Sequence, residues 1–141
     1  MNNADLFIAL FFGHFIADYF LQSDVIAINK SKRTPSGYFY CTMHCLLYAF
    51  IVTGFLYPLY TKSLVLFPFI FITHFLPDKY GWASKWMRLM RITVPQKYIP
   101  DHRNDAFRRE YCIPISIVID NVMHLAFMYY GIQIIQKVGL I

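Results

Sequence analysis

The stretch A-D-L-F-I-A-L-F-F-G-H-F-I-A-D-Y-F-L-Q, residues 4–22, decides the fold. It is apolar around nearly its whole circumference and close to the roughly 20 residues that a helix needs to cross a bilayer. Past Asp5 it carries two ionisable groups, His14 and Asp18. Such groups are costly in hydrocarbon and by default mark function. Their spacing of four puts both on one helix face. No basic segment precedes the stretch and no A-x-A site follows it, so it reads as a retained helix and not a signal peptide.

Three further apolar stretches, about 38–60, 63–78 and 113–136, match it in kind. The expected fold is therefore an all-α integral membrane protein, one transmembrane domain over residues 1–141 with four transmembrane helices. Composition agrees: 57% of residues are hydrophobic and 15% charged, against a usual charged share of roughly 25%. Pro35 and Gly37 are expected to break any helix in the loop 23–37, and Pro68 and Pro77 to kink the third span. Cys41, Cys45 and Cys112 form no C-x-x-C pair and read as small buried hydrophobes.

The basic residues orient the chain. The loops 23–37 and 79–112 hold eleven of the 13 lysines and arginines, leaving Lys62 and Lys137 for the other side. The positive-inside rule puts both loops in the cytoplasm and both termini outside. In the longer loop, residues 80–93 have helical periodicity, with Trp82, Trp86, Leu89 and Met90 on one side and Lys85, Arg88 and Arg91 on the other. That is a basic amphipathic helix in the headgroup region. Lys79 is expected to snorkel to the same headgroups. The partners implied by the net charge of +5 are membrane lipids with anionic headgroups and not nucleic acid. Small four-helix proteins also tend to associate as homo-oligomers. Residues 95–110 read as a loop or lid, with His102, Asp101 and Asp105 as a solvated cluster.

Seven ionisable groups fall inside the spans: His14, Asp18, His44, His74, Asp78, Asp120 and His124. Three spans carry an Asp/His pair at i,i+4. In the two that run inward the His comes first; in the last, which runs outward, the Asp does. Each Asp therefore lies one turn nearer the cytoplasm than its His, and most of the groups share a layer about 5–15 Å deep. The motif G-H-F-I-A-D-Y-F of span one resembles T-H-F-L-P-D-K-Y of span three, and Met43-His44 resembles Met123-His124. The spans thus form two pseudo-repeated helix pairs, which would bring the groups to one site.

Imidazoles and carboxylates in this number are ligands for a divalent metal, zinc first, with manganese or iron as alternatives. One or two ions would suit a phosphate or ester substrate, with Asp18, Asp78 and Asp120 as ligands or general bases. The expected function is a metal-dependent hydrolase acting on a lipid-linked or phosphate/ester substrate at the cytoplasmic leaflet. A metal-ion or proton transporter is one alternative. The other is a non-enzymatic protein whose His/Asp cluster only fixes helix packing and which acts on a membrane partner. Gln22 and Asn121 read as packing or orienting groups.

The combined pattern resembles a family of small bacterial and phage membrane proteins, the domain of unknown function 3307 family. The matching residues are His14, Asp18, Tyr19, Leu21, Gln22, His44, His74, Asp78, Lys79, Asp120, Asn121 and His124, with N-K-S-K at 29–32. Two departures are Asn121, where the pattern has Gln, and Pro77 immediately before Asp78. The resemblance implies a bacterial inner membrane and no specific activity. Its His/Asp layout is similar in kind to small inner-membrane proteins regarded as metal-dependent hydrolases.

Overall fold

The computed structural model describes residues 2–90 and 113–139. Among these residues the fold is all-helical, with no strand. Helix α1 (Asn3–Phe15) starts at Asn2, whose side chain accepts from the Ala4 amide at 3.1 Å. It runs directly into a π-helical turn, Ile16–Phe20, a form that often marks functional positions.

The loop 23–37 is more ordered than its composition suggests. It contains α2 (Asp24–Asn29), capped by Ser23. Pro35 and Gly37 do not break a helix, as expected above; they begin one. Thr34 caps α3 (Pro35–Leu56), and Pro35 takes the first turn, where its missing N–H costs no bond. Gly37 sits under the preceding turn, where a Cβ would run into the Lys32 carbonyl oxygen. α3 thus begins and ends earlier than the span expected at 38–60.

A 3₁₀ turn (Ser63–Leu66) leads into α4 (Phe67–Tyr80). Pro68 lies in its first turn and produces no kink there, whereas Pro77 is interior and leaves the Thr73 carbonyl without its usual amide partner. Gly81, at φ 60°, ends α4 and starts α5 (Trp82–Leu89), so the amphipathic helix begins after residue 80, where it was expected, and residues 91–93 lie outside the described ones. The last helix, α6 (Ile113–Lys137), falls where the fourth span was expected. The segment 95–110, with His102, Asp101 and Asp105, and the residues Arg91 and Cys112 lie outside the described residues.

Helix α3 packs between α1 and α4, and α6 closes across both. Leu6, Leu10, Val52, Leu56, Ile70 and Ile132 form the apolar core with Tyr48 and Met128. Close approach depends on small residues: a Cβ on Gly13 would stand 3.2 Å from the Val52 Cα. The outward faces are apolar too, with Phe12, Phe50, Val122 and Ile134 more than half exposed. Two helices, Pro35–Leu56 and Pro114–Lys137, are long and apolar enough to cross a membrane.

Candidate metal centre

Four helices deliver the seven candidate groups. α1 and its π turn bring His14 and Asp18, α3 brings His44, α4 brings His74 and Asp78, and α6 brings Asp120 and His124. All four histidines are at most 1% exposed. Three overlapping sets of ligand atoms converge closely enough to hold a metal ion: His14, Asp18 and His74; His44, His74 and Asp78; Asp78, Asp120 and His124.

The tightest grouping combines members of these sets. His44 Nε2 lies 3.0 Å from His74 Nε2 and 3.1 Å from Asp18 Oδ1, and His74 Nε2 lies 3.3 Å from that oxygen. Asp78 Oδ2 lies 3.4 Å from His44 Nε2 and 3.5 Å from His74 Nε2. Bonds of roughly 2.0–2.1 Å to a tetrahedral ion require donor–donor edges of about 3.3–3.4 Å. These five edges, 3.0–3.5 Å, bracket that value. Asp18 Oδ1 and Asp78 Oδ2 are buried and make no hydrogen bond within the protein. Lys30 Nζ already stands 2.6 Å from Asp78 Oδ2, and a cation in the cage would in addition satisfy Asp18 Oδ1. The donor set therefore fits a metal.

His14 stands differently. Its Nε2 is 2.6 Å from Asn121 Oδ1, while the Asn121 amide nitrogen donates to the Tyr19 hydroxyl and the Ile117 carbonyl. That orientation makes His14 Nε2 the donor, so Nδ1 accepts from the Tyr48 hydroxyl at 2.7 Å. Asp18 Oδ2 is 3.5 Å from the same Nδ1. With its nitrogens engaged by Asn121 and Tyr48, His14 stands beside the cage and not in it. Tyr48, absent from the sequence reading, also stacks on the His74 ring at 3.5 Å between centroids. Its place four residues after His44, on the same helix face, was the available signal.

Two lysines change their expected parts. Lys79 does not snorkel: it is 2% exposed, donates to the Lys30 and Lys32 carbonyls at 3.2 and 2.8 Å, and lies over the Tyr38 ring. It clamps the turn after α2, and that turn delivers Lys30 to the cluster. Lys30 Nζ stands 2.6 Å from Asp78 Oδ2, a contact of opposite charges outside the directions of a hydrogen bond. Burial alone would lower its pKa, but Asp78 and Asp18 outweigh burial and hold it above the ordinary lysine value. Lys85 and Arg88 remain on the surface of α5, beside exposed Trp86 and Leu89. Cys41 and Cys45 are buried as expected.

A cleft of about 360 Å³ reaches the cluster between α2, α5 and α6, walled by Lys30, Ser31, Asp78, Ser84 and Asp120.

The family described as protein of unknown function DUF3307 matches residues 6–140, nearly the whole chain. The chain belongs to that family. Comparison with curated proteins and with solved structures finds no match. The DUF3307 match covers all seven cluster residues together with Lys30, Tyr48 and Lys79.

Proposed function

We propose that this DUF3307 protein is a metal-dependent hydrolase of the bacterial inner membrane, with four spans, working at the cytoplasmic leaflet on a lipid-linked or phosphate/ester substrate. The observation that carries the reading is the cage of Asp18, His44, His74 and Asp78, four buried donors with edges of 3.0–3.5 Å. Four spans are supported by the two long apolar helices and two shorter continuous runs. α1 with its π turn, and the 3₁₀ turn with α4, each cover 18 residues, about 27 Å of helix at 1.5 Å per residue. α1 and α4 both end in H-x-x-x-D, and α3 and α6 supply the facing histidines, as two repeated helix pairs would. The basic loops then put the cluster and its cleft on the cytoplasmic side.

A bound divalent ion supplies Lewis acidity toward a phosphoryl or carbonyl oxygen and an acidified water. The chain supplies the rest. Asp120, 36% exposed and 3.5 Å from His124, brings a carboxylate to the wall of the cleft. Lys30 brings a positive charge to an anionic substrate. On the far side of the cluster Leu10, Val52, Met128 and Ile132 are buried in apolar contact, which supports hydrolysis over transport.

The test uses full-length protein in detergent, loaded with zinc or manganese and assayed for phosphate release from vesicles containing phosphatidic acid and from a soluble aryl phosphate. Metal-dependent release that is lost in His44→Ala is expected. Folded protein that binds neither ion, or that binds them and hydrolyses neither phosphate nor carboxylate esters, overturns the reading.

A further inference from the structure

The two oxygens of Asp78 face different groups. Oδ2 belongs to the cage, 3.4 and 3.5 Å from His44 and His74. Oδ1 points the other way and lies 3.4 Å from His124 Nε2. That nitrogen is in turn 3.5 Å from Asp120 Oδ2. His124 is 1% exposed, and neither of its ring nitrogens makes a hydrogen bond within the protein. A buried imidazole nitrogen between two carboxylate oxygens, at ion-pair distance from each and hydrogen-bonded to neither, makes with them a set of three metal donors. Its two edges fall at the long end of the cage's range.

We infer that the centre holds two divalent transition-metal ions bridged by the carboxylate of Asp78, one in the Asp18–His44–His74–Asp78 cage and one held by Asp78, Asp120 and His124. The inference rests on the metal-binding reading above and adds the number of ions and their division of labour. A carboxylate offering one oxygen to each of two pockets suits the spacing of about 3.5–4 Å found in two-metal sites. The pockets also differ in kind. The cage has four protein donors, the closed arrangement of a structural ion. The second pocket has three, the number that leaves a position open for water or substrate. Asp120 opens it toward the cleft: Asp120 and the shared Asp78 line that cleft, whereas Asp18, His44, His74 and the deeper His124 do not.

The groups around the second pocket fit this assignment. Lys30 offsets part of the excess carboxylate charge at Asp78 and faces the same cleft. His14 is committed to Tyr48 and Asn121, which keeps it out of both pockets. The ion held by Asp120 and His124 is thus the one a substrate meets, and the caged ion sets the position of the bridge.

The experiment needs no substrate. The full chain in detergent is stripped with chelator, reloaded with manganese(II) alone, desalted, and examined by elemental analysis and electron paramagnetic resonance. About two ions per chain with an exchange-coupled signal are expected. Asp120→Asn and, separately, His124→Gln are expected to retain about one ion and to show the isolated-ion pattern. If either variant misfolds, the stoichiometry and coupling of the unmodified protein decide. About one uncoupled ion per chain, unaffected by either substitution, overturns the two-ion centre and leaves a single-metal site standing. Two ions retained by both folded variants also overturn it. Binding of neither manganese nor zinc overturns the inference together with the reading beneath it.

Discussion

Leu10, Val52, Leu56, Ile70 and Ile132 are each 0% exposed and have apolar neighbours on every side. One or two turns along the same helices, His14, His44, His74 and His124 are as deeply buried, yet His74 Nδ1, both nitrogens of His124, Asp18 Oδ1 and Asp78 Oδ2 make no hydrogen bond within the protein. The two halves of the bundle share backbone geometry and depth but not completeness. The apolar half is finished by its own side chains. The polar half brings together buried donors that could hold an ion, whose charge would lower the cost of the atoms left without hydrogen bonds. On the metal-binding reading proposed above, stability resides in one half and binding in the other. If that division is right, damage to one half leaves the other's property intact.

The largest effect is expected at Asp78. An outer partner of a metal ligand is typically worth 10–100-fold in affinity, and Asp78 contributes a donor to both pockets. Asp78→Asn should therefore weaken metal binding by more than about 100-fold, read by titration with zinc. Retained affinity would break the comparison, because the polar half would then be complete without its bridge. In the apolar half, Leu10→Ala should cost about 2–5 kcal/mol in denaturant unfolding while leaving the ions bound per folded chain unchanged. A loss of metal would show that the halves are mechanically one.

Metal itself sharpens the contrast. Zinc at 100 times its dissociation constant should stabilise the folded protein by about 2.7 kcal/mol, and chelator should reverse this. Leu10→Ala should keep that increment and Asp78→Asn lose it, in melting curves recorded with and without the ion. Lys79→Met removes both bonds to the turn that carries Lys30. It is expected to lower metal affinity by about tenfold, at the low end for a supporting partner. The smallest effect is reserved for Tyr48→Phe, which keeps the stacking on His74 and deletes the hydroxyl's contacts with His14 and Met128. About 0.5–1.5 kcal/mol of stability should be lost, with the ion count unchanged.

Much of this layout was legible beforehand. Residues 113–136 read as a span and form α6 almost to the residue, because the stretch is mostly apolar and its one proline, Pro114, falls in the first turn. The i,i+4 Asp/His pairs were readable for a similar reason: helical periodicity converts spacing into direction. Pro35 misled, since the same residue that ends a helix from inside begins one at its first turn, and the capping hydroxyl of Thr34 decides which. Lys79 misled because snorkelling is the default for a lysine at a span end, whereas here two carbonyls and the Tyr38 ring lie within its reach.

By itself the sequence determined that this chain is helical and apolar, that it is basic on two loops, and that it carries His and Asp at a common depth. These are properties of composition and period, which act within one helix. Only the tertiary structure decided which donors meet. That Asp78 divides its oxygens between two pockets, that His14 is diverted to Asn121 and that Lys30 reaches the cluster from a turn all depend on helix rotation and on contacts between distant residues. Those are set by packing, by Gly13 against Val52 and by a π turn before Asp18, and periodicity carries no record of them.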